Sequence, residues 1–188
     1  VNFYAGEFTA AAAAAQEVIN AIPIASITEF PGIWKDETVA EVIWAPNYEA
    51  AADGYTYENA FFARGNRSSY RPTTDLTALY GAGDIRPASY YGTIGGRTVV
   101  TKYLGKGTAT DGLVNWKAYR TSEMYLILAE SKYATDQTSA RAALDMVRSN
   151  RIASYTSVGE SGAALLTAIR TERRKEMAFE GYRFYEYK

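Results

Sequence analysis

The sequence contains no cysteine and no histidine. Their absence excludes disulfides, thiol nucleophiles, zinc sites built from cysteine and histidine, and every catalytic triad that depends on histidine. Because proteins without cysteine occur in every compartment, the redox location stays open. The glycine-rich segment 92–96 also lacks the Gly-Lys-Ser/Thr end of a phosphate-binding loop. We therefore predict no catalytic residue, no metal site and no cofactor.

A surplus of positive charge is also missing. Lysine and arginine number 20 and aspartate and glutamate number 21, which gives a net charge of −1. A protein that binds nucleic acid needs a basic surface to hold the phosphate backbone. We therefore expect no nucleic acid partner.

No apolar run approaches the ~20 residues that a membrane-spanning helix needs. The run Ala10–Ala15 is short and is flanked by Glu7 and Glu17. The first four residues hold no basic region before an apolar core, so no signal peptide is predicted. Because the chain begins inside a helical pattern and ends in an aromatic run, we expect it to be part of a longer protein.

What the sequence does contain is typical of one folded domain, with 47% hydrophobic and 22% charged residues. Residues 1–22 are alanine-rich and predict a helix that ends before Pro23. Residues 23–118 predict a loop-rich region with short strands such as Val39–Trp44. Residues 119–188 are helical again, so the fold class is mostly α.

Three helices are predicted in this last zone. The first spans about Tyr119–Tyr133, and Asp136 or Thr138 caps the second. The third spans about Ala163–Glu180 and ends at Gly181. Short helix pairs with small residues where the helices cross indicate tetratricopeptide-like packing.

These helices also carry a distinctive set of motifs. Tyr119–Glu130 fits the pattern R-x-A/S-E-x-Y-L-I-x-A-E. Ala140–Arg151 is similar to A-x-x-x-L-N-x-V/I-R, with Asp145 in place of the commoner Asn, and Ile169–Arg183 is close to I-x-x-E-R-R-x-E-L-A-F-E-G-x-R. In this order and with these gaps, they resemble the C-terminal part of the SusD/RagB family of outer-membrane nutrient-binding lipoproteins. Weaker similarities at Glu41–Trp44 and Gly83–Arg86 extend the resemblance over nearly the whole chain.

The resemblance implies a SusD-like helical fold and a function without catalysis. Such proteins bind glycans and sit as a lid on a SusC-like TonB-dependent transporter. They face outward from the outer membrane, held by a lipid anchor on a cysteine that this chain does not contain. The resemblance therefore implies a glycan ligand, a SusC-like partner and an extracellular position on the outer membrane, reached only through that anchor.

Residues 44–72, within the loop-rich region, are the candidate ligand-binding segment. A sugar stacks its C–H face on an aromatic ring, while amide, carboxylate and guanidinium groups bond its hydroxyls. The candidate ligand-binding residues are Tyr48, Tyr55, Tyr57, Asn59, Arg64, Asn66 and Tyr70. The structural alternative is that some of these rings pack beneath the loop, and Trp44 is predicted to lie in the core at the end of a buried strand.

The last helix carries three glutamates one turn apart: Glu172, Glu176 and Glu180. A glycosidase needs two carboxylates facing one another across a cleft, ~5–9 Å apart, which neighbours on one helix do not provide. We therefore predict a structural ion-pair network instead. Its expected partners are Arg120, Arg148 or Arg183. Asp84–Ile85–Arg86 is likewise predicted to be a salt-bridged turn rather than a metal site.

Three functions stay open at this point. The first is glycan capture, and the second is a protein-interaction scaffold of tetratricopeptide type without a glycan site of its own. The third, a glycosidase, has no carboxylate pair in its favour. The first two differ in whether the loop aromatics line a concave pocket or a flat patch.

Overall fold

The computed structural model describes residues 1–49 and 70–182. In chain order, its helices are α1 (Phe8–Ala21), α2 (Phe30–Ile33), α3 (Thr74–Thr77), α4 (Arg86–Tyr90), α5 (Thr121–Lys132), α6 (Gln137–Ser149) and α7 (Gly162–Glu176). Its strands are β1 (Val42–Trp44), β2 (Tyr91–Ile94), β3 (Arg97–Val100) and β4 (Tyr119–Arg120). The predicted mostly α fold is confirmed.

Helix α5 is the centre of the helical layer, and α1, α6 and α7 pack around it. The core between these helices consists of Ala12, Ala15, Leu126, Leu128, Ala129, Ala140, Ala143, Leu144, Val147, Leu165 and Ile169. Nearly half of these side chains are alanine, which lets helix axes approach closely. Residues 133–136 join α5 to α6 as a short-looped pair, in keeping with the predicted tetratricopeptide-like packing.

Two helix boundaries follow from local sequence as predicted. Helix α1 ends at Ala21, before Pro23. The side chain of Asp136 caps α6 by accepting a hydrogen bond from the Ser139 backbone N–H at 3.1 Å. Local chemistry therefore sets these two ends.

The predicted end of the last helix is wrong. Helix α7 ends at Glu176, and Gly181, with φ of 82°, lies beyond it as part of an irregular segment. The cause is tertiary, because side chains from the central region donate to the carbonyls that a continuing helix would use. Tyr90 binds the Glu176 carbonyl oxygen at 2.8 Å, and Lys102 binds that of Ala178 at 2.8 Å.

The central region contains two small antiparallel sheets. Strands β2 and β3 form a hairpin whose turn uses Gly95 and Gly96, both with positive φ. Strand β1 pairs with β4 far along the chain, with Val42 opposite Arg120 and Trp44 opposite Tyr119. This pairing joins the central region to the start of α5.

A second core lies beneath these sheets. It is built from the buried side chains of Ala25, Phe30, Ile33, Trp34, Leu76, Tyr90, Tyr103, Val114 and Ala178. The ammonium group of Lys102 lies 3.9 Å from the ring centre of Trp34 and 3.8 Å from that of Tyr90. The loop-rich region is therefore anchored to the helical layer by its own aromatic core.

Candidate functional site

Three arginines converge on Glu176 at the end of α7. Its carboxylate accepts hydrogen bonds from Arg86 at 3.2 Å, from Arg120 at 2.9 Å and from Arg151 at 3.1 Å. All four side chains are fully buried. Burial acts to raise the pKa of Glu176, but Arg151, Arg120 and Arg86 together hold that pKa well below its usual value.

The network extends to the other carboxylates. Arg120 also pairs with Glu41 at 2.6 Å and with Glu180 at 2.7 Å. Glu172 pairs with Arg86 at 2.6 Å and with Arg148 at 3.1 Å. The predicted ion-pair network is thus confirmed with Arg120 and Arg148 as partners, while Arg183 lies outside the described residues.

The turn at Asp84 joins the same network. Asp84 pairs with Arg86 at 2.7 Å, as predicted, and with Lys175 at 3.0 Å. A buried carboxylate held by two or more cations presents no free oxygen to a substrate. These groups therefore fix the helical layer to the central region, and no group of three or more potential metal ligands is found in residues 1–49 and 70–182.

The exposed pair of Trp44 and Tyr119 is the feature that the sequence did not predict. Trp44 is 54% exposed, so its placement in the core is wrong. Strand β1 pairs only with β4 among the described strands, and its register shifts between Val42 and Trp44, which turns the ring outward. Tyr119, its cross-strand partner, is 52% exposed, and the two ring centres lie 6.3 Å apart at an interplanar angle of 40°.

These two rings line a cleft of about 880 Å³. Other aromatic residues that line it are Phe3, Tyr4, Trp116 and Tyr182. Polar groups reach the lining from Asn2, Glu123 and Tyr182. A concave surface with several rings and a few polar groups is the usual form of a small-molecule or glycan site.

Two helices supply apolar lining to the cleft. The apolar side chains that α1 and α5 contribute are Ala11, Ala14, Ala15, Val18, Met124 and Ile127. No lysine or arginine is among the described residues that line the cleft. The cleft therefore combines aromatic rings and a few polar groups with apolar side chains from two helices.

Glu123 is the one acidic residue of the lining that the ion-pair network leaves out, within the part of the chain that the structure describes. It is 4% exposed, and its carboxyl lies 2.9 Å from the hydroxyl oxygen of Tyr182. Burial raises the pKa of Glu123 to about 7, against the lowering effects of that hydrogen bond and of Arg173.

Two of the seven predicted ligand-binding residues lie within the described chain. Tyr48 is half-buried: its backbone N–H donates to the Asn115 side chain at 2.8 Å, and Lys106 donates to its carbonyl at 2.5 Å. Tyr70 is 62% exposed. The other predicted residues, Tyr55, Tyr57, Asn59, Arg64 and Asn66, lie outside the described residues.

The sequence does not predict four of the cleft residues as part of a site. They are Trp116, Tyr119, Glu123 and Tyr182. Tyr119 was predicted only as the first residue of a helix, and Tyr182 only as the residue after a helix stop. The signal that marks Tyr119 is its pairing with Trp44 across two strands, and no local pattern encodes that pairing.

Residues 31–188 match the model of the SusD family. The chain resembles a SusD superfamily protein from Bacteroides thetaiotaomicron VPI-5482, with a TM-score of 0.81 and 23% identity over 97% of this chain and 46% of the other. It also resembles a SusD-like carbohydrate binding protein from Bacteroides vulgatus ATCC 8482, with a TM-score of 0.77 and 20% identity over 98% and 42%.

A third similar structure was determined with a ligand. It is surface glycan-binding protein A from Bacteroides thetaiotaomicron in complex with laminarihexaose, with a TM-score of 0.67 and 16% identity over 98% of this chain and 51% of the other. No curated protein is significantly similar in sequence. The chain thus spans about half the length of the solved structures that it matches. The family match over residues 31–188, with the shared fold, shows that the chain belongs to the SusD family.

Proposed function

We propose that the protein binds an oligosaccharide or polysaccharide on the Trp44–Tyr119 pair of the cleft. The observation that carries the proposal is that these two half-exposed rings line a concave surface. A large exposed ring costs free energy in water unless a partner covers it. The C–H face of a sugar covers such a ring and leaves its hydroxyls free to bond with polar groups nearby.

The candidate ligand-binding segment, residues 44–72, is proposed to complete this site. Strand β1 ends at Trp44, and five residues, including Tyr48, separate it from residue 50. The backbone of Tyr48 is held by hydrogen bonds with Asn115 and Lys106, so this part of the segment is fixed close in sequence to Trp44. We keep Tyr48, Tyr55, Tyr57, Asn59, Arg64, Asn66 and Tyr70 as proposed contacts.

Membership of the SusD family supports the same function. One similar structure is described as a carbohydrate binding protein, and another holds laminarihexaose. We propose, by analogy, capture of a glycan at the cell surface without catalysis and its delivery to a SusC-like TonB-dependent transporter. The outer-membrane location, facing outward through a lipid anchor of the longer protein, belongs to this proposal. Within the described residues no helix has the length and apolar character to cross a bilayer.

Affinity gel electrophoresis over a panel of soluble polysaccharides tests the binding. The chain should migrate more slowly in a gel that contains one of the polymers, while a non-binding protein of similar size should not. If no polymer slows it, glycan binding by this chain is contradicted. Transporter delivery is tested separately, by co-purification of the full-length protein with a SusC-like transporter from outer membranes.

A second candidate function is favoured by the apolar residues of the cleft. Ala14 on α1 is exposed and lines the cleft with the partly buried Val18 and Met124, which gives another helix an apolar surface to contact. A protein-interaction scaffold would use this surface and have no glycan site. Its test is a pull-down with a SusC-like transporter, in which the Ala14→Glu variant should lose the partner, while no polysaccharide of the panel should retard the wild type.

A further inference from the structure

One hydroxyl group at the cleft has two acceptors. The hydroxyl oxygen of Tyr182 lies 2.9 Å from Oε2 of Glu123 and 3.1 Å from the carbonyl oxygen of Ala118. A phenol carries one hydrogen, whereas a carbonyl and an ionised carboxylate can only accept. With Glu123 ionised, one of these two contacts therefore has no hydrogen. With Glu123 protonated, its O–H donates to Tyr182 and Tyr182 donates to Ala118, so both contacts are hydrogen bonds.

The surroundings of Glu123 favour the protonated form. The side chain is buried, and no ion pair with it is formed by any described cation. The charged groups that face it are Arg173 of α7, Arg120 of β4 and Glu180. Arg120 binds Glu41, Glu176 and Glu180. Arg173 contacts Glu130 through Nη2 at 3.4 Å, and its buried Nε and Nη1 form no hydrogen bond within the described residues, with Glu123 or with any other group.

The remaining neighbours supply little that would hold a charge. Helix α1 presents alanine and valine to the cleft and no charged group. The position of Glu123 in the first turn of α5 favours the carboxylate modestly, through the helix dipole. Burial outweighs these effects and raises the pKa of Glu123 to about 7.

We propose that Glu123 is a positioning residue of the cleft: in its protonated form it holds Tyr182 through a two-bond relay to Ala118, and with Tyr182 it holds the cleft wall formed by residues 180–182. Ala118 directly precedes Tyr119, so the relay ties that wall to the strand that carries the aromatic pair. The effect on ligand binding rests on the proposed glycan function.

The relay makes binding depend on pH. When Glu123 ionises, the Tyr182 hydrogen turns to the carboxylate, and the bond to Ala118 is lost. Wild-type affinity should therefore fall as the pH rises from about 5.5 to about 8.5, by roughly threefold or more. The Glu123→Gln variant keeps the relay at every pH, because its amide N–H donates to Tyr182. Its affinity should match that of the wild type at low pH and change less than about twofold over the same range.

The experiment measures two quantities for the wild type, Glu123→Gln and Tyr182→Phe. The first is calorimetric affinity for the polysaccharide that retards the chain most, across the pH range. The second is thermal unfolding without ligand across the same range. As the pH rises, the midpoint temperature of wild-type unfolding should fall relative to that of Glu123→Gln. Tyr182→Phe keeps the ring and removes the hydrogen, so it should bind more weakly than the wild type at low pH.

The outcomes separate the two proposals. Parallel unfolding profiles in the wild type and Glu123→Gln overturn the relay. Divergent unfolding profiles with equal pH dependence of binding overturn the positioning role. Divergent unfolding profiles without binding to any polymer leave the relay in place and contradict the proposed function. If Glu123→Gln does not fold, a wild-type pH dependence of binding that persists in Tyr182→Phe overturns the relay.

Discussion

Trp44 and Tyr119 lie opposite one another on paired strands, although 75 positions separate them in the chain. Their ring centres are 6.3 Å apart, and about half of each residue is exposed. Exposed rings held in this way are already ordered before a ligand arrives, so stacking on them costs little conformational entropy. This pair is therefore the part of the cleft on which glycan binding should depend most.

Replacing Trp44 with alanine should weaken glycan binding by about tenfold or more, since one stacking ring contributes on the order of 1–2 kcal/mol. The midpoint of thermal unfolding should change little, because the ring is half-exposed. Calorimetry on the polymer that retards the wild type measures the effect. The matched control is Val158→Ala, which removes exposed apolar surface from a residue that does not line the cleft. A loss of affinity equal in both variants would contradict a specific role for Trp44.

The candidate ligand-binding segment, residues 44–72, gives a second prediction. Separate alanine substitutions at Tyr48, Tyr55, Tyr57 and Tyr70 should weaken glycan binding without unfolding the chain. The expected loss is on the order of 1 kcal/mol for each ring that stacks on sugar. Retardation coefficients on affinity gels measure it, with circular dichroism to confirm folding. The assignment of the loop is wrong if all four variants bind a demonstrated ligand as the wild type does.

Glu176 has the opposite role. Glu176→Gln removes the charge that offsets Arg86, Arg120 and Arg151 in a site without water access, and should lower the free energy of unfolding by about 3 kcal/mol or more. Glycan affinity should stay unchanged, because Glu176 does not line the cleft. Chemical denaturation and calorimetry measure the two quantities.

The control for this change is Glu17→Gln on the exposed side of α1, for which we expect less than about 0.5 kcal/mol. An unchanged melting temperature together with lost glycan binding would show that Glu176 serves the ligand rather than the fold.

The same network sets the response to acid. The pKa values of Asp84, Glu172 and Glu176 are held low in the folded protein, so the unfolded chain binds more protons as the pH falls below about 4.5. Their contribution to stability is present above that pH and is lost as the pH falls further. The midpoint of thermal unfolding should therefore drop steeply below about pH 4.5 in the wild type and less steeply in Glu176→Gln. Equal slopes of midpoint temperature against pH in the two proteins would contradict the stabilising role of the network.

The helical framework could be predicted from the sequence because its signals are local. The apolar face of α6, the Asp136 cap and the stop at Pro23 each depend on residues within one or two turns. Glu172 and Glu180 could be assigned to ion pairs because charges this dense on one segment need partners when they are buried. The helical fold and the ion-pair network could therefore be predicted from the sequence.

The cleft could not be predicted from the sequence, because it depends on contacts between residues that are far apart in the chain. The exposure of Trp44 follows from a strand pairing with Tyr119, and the early end of α7 follows from donors on Tyr90 and Lys102. Arg151 and Glu41, which complete the buried network, come from a helix end and a turn that carry no charge pattern of their own. Local periodicity contains no information on such pairs.

The double variant Trp44→Ala/Tyr119→Ala removes both rings of the proposed glycan site. Wild type and variant are run side by side in native gels with and without the polysaccharide that retards the wild type, and their thermal unfolding is compared. The variant should keep its fold and lose nearly all retardation. A folded variant that is retarded as strongly as the wild type would contradict the placement of the glycan site on this aromatic pair.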